Sequence, residues 1–390
     1  MKRRIFQVLF ISVFASMLGF GLIEPLIPIY AESLGASGLW IGIIFSSFMI
    51  SRALFSPIIG RMSDKVGRRK FILIGLLGYT LLSVAYLFAQ SAPSLAVARF
   101  MQGITSALVV SVSMAYIAEI SPHGEEGRYL SIFNLALFLG MATGPLIGGT
   151  ISHYFSINYA FLSMGALSLF AFFLVLKTLP ELQHEGERPK PLHYREILKD
   201  PTVRAVTIFR AANAVGVSGF MAFFPLFAAG LGLNTMQIGL LVSVNLLMLS
   251  LFQPYFGKMA DQHDKVTMVT IGTAVFSLSL VLMGFSRSFA ALFAVNLLMG
   301  IGGAISMPAA TILVVKAGKT MGMGTVLGIF NTAMSIGQAT GPIIVGAFYG
   351  RVTTGHLFTM IGAMNILASL LFYRGTRGAG AATGNQDASA

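Results

Sequence analysis

The chain has 390 residues, 55% of them hydrophobic and 10% charged, with a mean hydropathy of +0.80. Soluble domains carry about 25% charged residues, and a water-soluble core of this length cannot hide so much apolar surface, so lipid is the solvent. The absence of cysteine excludes a disulfide framework and thiolate metal sites; the net charge of +12 does not mark a nucleic-acid binder, because the basic residues punctuate apolar runs and form no stripe.

Apolar stretches of about 20 residues cross a bilayer as helices. The sequence predicts twelve: 6–30, 38–59, 71–90, 94–118, 128–150, 157–177, 204–228, 236–256, 266–286, 289–314, 323–348 and 355–373. The N-terminus has the basic start and apolar stretch of a signal peptide. Its apolar run continues through Gly19–Tyr30 and is matched later in the chain, so it reads as the first span. Between spans six and seven, residues 179–203 form the one long polar segment, a linker with one expected surface helix at Tyr194–Lys199. Residues 374–390, rich in Gly, Ala and small polar residues, are expected to be a disordered tail. With the N-terminus in the cytoplasm, 21 of the 26 basic residues lie on that side, and only Arg287 and Arg351 fall in the opposite loops. This positive-inside pattern predicts both ends in the cytoplasm.

The two sets of six spans repeat. Gly140–Gly149 (GMATGPLIGG) returns at Gly337–Gly346 (GQATGPIIVG), a displacement of 197 residues. The same displacement carries Pro57, Gly60, Met62 and Asp64 onto Pro254, Gly257, Met259 and Asp261, and Gly19, Pro28, Leu34 and Gly35 onto Gly216, Pro225, Leu231 and Gly232. One offset held without gaps means a duplicated half. Two halves of six spans each, in the same orientation, are related by an axis along the membrane normal. The expected domains are therefore 1–178 and 204–373, joined by the linker.

The loop after span two, Gly60-Arg-Met-Ser-Asp64-Lys-Val-Gly67-Arg68-Arg69-Lys70, fits a G-x-x-x-D-x-x-G-R-R-K pattern; span four carries Arg99-x-x-x-Gly103; span five carries Gly140-x-x-x-Gly144-Pro145-x-x-Gly148-Gly149; span one carries GFGLIEPLIP at Gly19–Pro28. In this order, over essentially the whole chain, they resemble the major facilitator superfamily, and in particular its twelve-span drug:proton antiporters. The resemblance implies an all-α membrane protein of two parallel-repeat six-helix bundles. It also implies a pairing of Arg68 with Glu119 at the end of span four. Asp64, Arg68 and Arg69, with Gly60 and Gly67, would then form a cytoplasmic latch of the outward-facing state. A carboxylate such as Asp64 is favoured at a helix N-terminus, here expected to be one in the other half. The bland alternative is a tight basic turn that holds topology. In the second half, GKMADQHDKV keeps Gly257 and Asp261 but loses the arginine pair. The span-five motif resembles the one associated with antiporters. Its glycines clear one helix face for close packing, and Pro145 bends the helix locally. Tight packing alone would need the same residues.

Of the 14 acidic residues, Glu24 alone falls inside a span. Ionisable groups at that depth are functional candidates by default, and desolvation favours the protonated acid. Glu24 is thus the expected proton carrier, with Arg99 close enough to influence it; a merely hydrated position near the outer end of the span is the structural alternative. Some similar antiporters have their acid earlier in span one, where this chain has Ser16. On span four, Arg99, Gln102, Ser106 and Ser113 recur at near-helical spacing as a polar stripe. Arg52 and Arg210 lie nearer the cytoplasmic ends of their spans and are expected to snorkel in structural roles. The repeat maps Glu24 to Met221, Arg52 to Leu249, Arg99 to Asn296 and Ser16 to Asn213, so coupling is assigned to the first half and much of the substrate contact to the second. The family resemblance implies that spans one, four, seven and ten line the cavity. Gln102, Ser106, Asn213, Phe220, Phe224, Asn245, Asn296, Met307, Asn331 and Gln338 are the expected lining residues, although Phe and Met in a membrane helix more often pack than bind ligand.

These residues together suggest a proton-coupled exporter of lipophilic drugs or amphiphilic molecules, working by alternating access in the inner (plasma) membrane. A dedicated sugar or siderophore exporter and an uncoupled facilitator are the alternatives. The expected partners are a small-molecule substrate and the lipid bilayer, with no nucleic acid; the chain is expected to act as a monomer without cofactor or metal, driven by the proton gradient. Six scattered histidines and one deep carboxylate provide no catalytic cluster. Gly318-Lys319-Thr320 imitates the end of a phosphate loop, but Leu313 stands at its first glycine position.

Overall fold

The computed structural model describes residues 2–122, 125–181, 200–321 and 323–387. The expected surface helix at Tyr194–Lys199 and most of the linker lie outside these residues. Helix α1 (Lys2–Ile23) stops where Pro25 supplies no amide, and α2 (Leu26–Ser33) resumes the span beyond it. The first span, expected to be continuous, is therefore two helices that meet at Glu24 and Pro25.

Helix α3 (Gly38–Val66) starts at Ser37, whose hydroxyl accepts from the Trp40 amide, and α4 (Arg68–Leu87) follows after a single residue. That residue, Gly67, has φ 105° and ψ 143°, a conformation open in practice to glycine alone. The segment Gly60–Lys70, expected to be a loop, is thus corrected: Gly60 and Asp64 lie on the last turns of α3. Its charged residues are adequate helix formers, so the helix continues past the expected end of its span at 59.

Span four begins at a Ser91–Ser94 capping box as α5 (Ala92–Ser106), widens into a π-helical segment at Ala107–Ser111, and continues as α6 (Val112–Ile120). Then come α7 (Glu126–Tyr154), α8 (Ile157–Thr178), α9 (Pro201–Gly230), α10 (Thr235–Gln262), α11 (Lys265–Phe285), α12 (Phe289–Met321), α13 (Met323–Phe348) and α14 (Thr354–Asp387). Eleven spans among the described residues are long and apolar enough to cross a membrane. Helix α13 coincides with the remaining expected span, 323–348, but is not one of the eleven. Helix α14 runs past the expected end of its span at 373 to Asp387, through much of the segment expected to be a disordered tail. Alanine favours helix, and extending a formed helix needs no new nucleus.

The chain divides into two compact units, Met1–Arg188 with Ala222–Leu247, and Pro189–Met221 with Met248–Ala390. In the first, α1 packs on α7 and α8, α3 on α5, and α4 on α8; in the second, α11 packs on α12 and α14. Large apolar side chains such as Leu54, Leu81, Phe88, Leu251, Ile271 and Leu367 point outward, whereas Ser16, Arg99, Gln102, Ser106 and Asn296 are buried. This arrangement suits a lipid solvent, in which polar groups find partners only inside.

The repeat extends to backbone detail. Leu34 donates to Tyr30 and Ala31, and Gly35 to Glu32; 197 residues later Leu231 donates to Phe227 and Ala228, and Gly232 to Ala229. Gly35 and Gly232 share positive φ angles, 75° and 83°. Gly67 and Gly60 should respond oppositely to alanine. A Cβ at Gly67 would meet the Glu181 carboxylate in a strained backbone, whereas one at Gly60 meets nothing within 4 Å. Gly67→Ala is expected to cost of order 1–3 kcal/mol, and Gly60→Ala to gain up to about 1 kcal/mol. Thermal unfolding of the purified variants checks both.

Candidate functional site

Pro25 places Glu24 at the break between α1 and α2, and Glu24 turns toward α5. Its Oε2 lies 3.0 Å from Nη2 of Arg99, whose side chain is fully buried. Gly103, one turn along α5, brings that helix against α3, where any Cβ would meet the Ser51 hydroxyl and the Phe48 carbonyl. The close approach sets the Arg99 guanidinium 4.8 Å from the Phe48 ring centre, 5.1 Å from that of Phe45 and 5.8 Å from that of Phe20. Three ring faces thus surround the cation, each contributing roughly 0.5–2 kcal/mol of attraction.

The polar stripe continues the network. Arg99 Nη1 donates to Gln102 Oε1 at 2.9 Å, Tyr86 Oη donates to the same oxygen at 2.6 Å, and Gln102 Nε2 reaches Met164 Sδ at 3.5 Å. Ser106 and Ser113 are buried on the same span. Tyr86 and Met164 were not among the expected residues. Tyr86 is one of two tyrosines, with Tyr79, inside the apolar run of span three, and that was the available signal for the first; the second carries none.

Where α3 and α6 end and α4 begins, Arg68 bridges Asp64, at 2.9 Å, and Glu119. The pairing implied by the family resemblance is present, and Asp64 is engaged by Arg68 of its own segment. Arg69 donates through Nη2 to the Leu176 carbonyl at 2.6 Å, and its amide donates to Glu181 Oε1 at 3.1 Å. Glu181, which sequence reasoning left in the linker, thus occupies the N-terminus of α4, where the helix dipole favours a carboxylate.

The span-five glycines lie along α1. A Cβ at Gly140 would stand 2.8 Å from Leu18 N and Phe14 O, one at Gly144 would stand 2.6 Å from Gly21 Cα, and one at Gly148 would enter the Leu22 carbonyl. Gly149 instead faces α10, meeting Thr235 and Gly239, and Thr235 Oγ1 donates to its carbonyl at 3.0 Å. Next to Pro145, the Leu146 amide finds the Ser243 hydroxyl at 2.9 Å. In the second unit Gly337 meets Ala211, Ala214 and Val215, the counterparts of Phe14, Met17 and Leu18. Val345, replacing Gly148, packs on Gly219.

The expected cavity residues divide between the units. Gln102, Ser106, Phe224 and Asn245 are buried in the first, and Gln102 joins the Glu24–Arg99 network. In the second, Asn213, Phe220 and Asn296 are buried, Met307 and Gln338 are half-buried and Asn331 is exposed. Asn296 Nδ2 donates to its own helix at Leu292, and the Phe220 ring lies 6.3 Å from that of Phe358. Arg210 departs from expectation: its guanidinium turns into the unit, onto Met307, Met334 and Phe330, instead of reaching for the interface.

A model of the Major Facilitator Superfamily matches residues 9–236 and again residues 206–388. An uncharacterised MFS-type transporter of Methanocaldococcus jannaschii is 30% identical over 373 residues, covering 94% of this chain and 96% of that protein. The quinolone resistance protein NorA of Staphylococcus aureus is 24% identical over 375 residues, covering 93% of this chain and 94% of its own. The crystal structure of a bacterial homologue of the human lysosomal transporter Spinster, inward-facing and unoccupied, superposes with a TM-score of 0.81 at 14% identity, covering 96% of this chain and 97% of that one.

Removing one member of a buried ion pair strands the other and costs roughly 3–5 kcal/mol, whereas an apolar replacement of the whole pair is close to neutral. Glu24→Met and Arg99→Met should each melt well below the parent protein, and the double variant Glu24→Met with Arg99→Met should recover most of the loss. Additive losses in a thermal double-mutant cycle would show that the two side chains are energetically independent.

Proposed function

Because the chain belongs to the major facilitator superfamily, and is therefore a membrane transporter and not an enzyme, we propose that it is a proton-coupled exporter of lipophilic or amphiphilic small molecules. The Glu24–Arg99 pair carries this reading. An ionised carboxylate held by a buried guanidinium has two protonation states that differ by one charge at a place with little water. Protonation neutralises Glu24 and frees Arg99 from its counter-charge, so the two states hold α1, α2 and α5 together with different strength. A proton taken up from one side and lost to the other then biases alternating access. The likeness to the quinolone resistance protein supports drugs as the substrate class.

In this reading twelve spans form two six-helix halves, 1–178 and 204–373, in the plasma membrane with both ends in the cytoplasm, and the chain works as a monomer. The Arg68–Asp64–Glu119 cluster acts as the cytoplasmic latch in one of the two access states, and the span-five glycines form a packed, leak-tight hinge beside Glu24. Arg99 also balances Glu24, so the pair as a whole offers no net charge to a cationic substrate while Glu24 is ionised.

The test is purified protein in liposomes with an imposed pH gradient and a panel of neutral and cationic lipophiles. The parent should accumulate at least one of them against its gradient, and Glu24→Gln should lose that response by tenfold or more while retaining downhill exchange. A parent indifferent to the pH gradient for every compound is a facilitator. A Glu24→Gln protein that still pumps moves the coupling site elsewhere.

A further inference from the structure

Burying a charge is costly unless it is paired. The first unit obeys this rule at Arg99 and at Arg68. In the second unit, Arg210 lies well inside α9, with Nη1 donating to Met307 Sδ and Nη2 to Met334 Sδ, and its guanidinium carbon 4.8 Å from the Phe330 ring centre. Thioethers are weak acceptors and a ring face is only a partial negative charge. Nε makes no hydrogen bond, and among the described residues no carboxylate pairs with the group. Each terminal nitrogen, engaged once, keeps a second N–H.

Asn213 lies three residues further along α9, on the same face. It is 2% exposed, and neither its Oδ1 nor its Nδ2 has a hydrogen-bond partner. Buried carboxamides are ordinarily satisfied, so this one calls for an explanation. The repeat sharpens the point. The counterparts in the first half are Val13, which is apolar, and Ser16, whose hydroxyl donates to the Ser12 carbonyl of its own helix at 2.8 Å. The second half replaces a self-sufficient pair with a cation that no described carboxylate balances and an amide without a hydrogen-bond partner. Helix packing alone needs neither.

We propose that the Arg210–Asn213 face of α9 is a recognition site for a carboxylate on the transported molecule, so that the substrates include lipophilic acids or zwitterions. This rests on the reading of the chain as an exporter of amphiphiles, and it specifies their charged group. The free N–H groups of Arg210 form a planar fork matched to the two oxygens of a carboxylate. The Asn213 amide donates to one of those oxygens. Met307, Met334 and the Phe330 ring supply soft, adaptable contacts to the apolar body of the ligand.

Direct binding tests the site without relying on transport. The probes are dansylaminoundecanoic acid and its methyl ester, titrated by fluorescence into full-length protein in lipid nanodiscs, with empty nanodiscs subtracted. The parent should bind the acid about tenfold or more tightly than the ester, as expected for hydrogen bonds to a charged group. Arg210→Met should abolish the preference and keep or raise the melting temperature, since it removes a partly buried charge that no carboxylate balances. Asn213→Leu should reduce the preference severalfold. Equal binding of acid and ester by the parent, no binding of either, or a preference that survives Arg210→Met overturns the inference. If gradient-driven transport of a neutral lipophile persists when the same purified protein is placed in liposomes, the export reading stands regardless. A clear acid preference in a protein indifferent to the pH gradient supports the carboxylate site and removes coupled export alone.

Discussion

A polar group inside a membrane must find its partner in the protein, because lipid offers none. That constraint organises the first unit around Arg99. The guanidinium takes Glu24 as its counter-charge, Gln102 as its acceptor and three phenylalanine faces as its walls. Each requirement falls on a different element. Pro25 interrupts the first span so that the carboxylate stands at a break, and Gly103 lets α5 approach α3 closely enough for the rings to reach the cation. Tyr86 and Met164 complete the partners of Gln102 from α4 and α8. One buried cation thus ties together most of the helices in its unit.

The glycine row on α7 adds a mechanical side to the same arrangement. It lies along α1 from Phe14 to Leu22, ending two residues before Glu24. Backbones this close have little room to slide, so α1 and α7 behave as one rod up to the break. The duplicated half keeps the contacts of Gly337 and Gly341 on α9 but sets Val345 where the third glycine would be. Divergence after duplication therefore spared the packing and altered the charges: Glu24 and Arg99 in one half, Arg210 and Asn213 in the other.

The starts of the helices were legible from sequence to within about four residues, because length and hydropathy are local properties that lipid selects for directly; several ends run further, α3 to Val66, α10 to Gln262 and α12 to Met321. The break in span one was less so: hydropathy averages over Pro25, and only the missing amide reveals it. Gly60–Lys70 misled for the opposite reason, since charge suggested a loop where helix-forming residues carry α3 to Val66. The Glu24–Arg99 and Arg68–Glu119 pairs were anticipated, the first from the rarity of charge in the spans and the second from family resemblance. Their secondary partners were not, because Arg69 and Glu181 are 112 positions apart and nothing local links them. Arg210 was assigned to the interface from its position along the span. Its actual direction is set by Met307 and Met334, 97 and 124 positions away.

Span four carries both Arg99 and Glu119, and between them the helix widens at Ala107–Ser111. At 3.6 residues per turn, one extra residue shifts everything beyond it by about 100° around the helix axis. The widened turn is therefore a phase setting. It fixes the angle at which Glu119 meets Arg68 relative to the angle at which Arg99 meets Glu24. If that turn tightened to an ordinary α-helix, about a quarter-turn of rotation would separate the two ends, and one ion pair could be kept only by giving up the other. One extra residue in the pitch is what lets a single span serve both ion pairs.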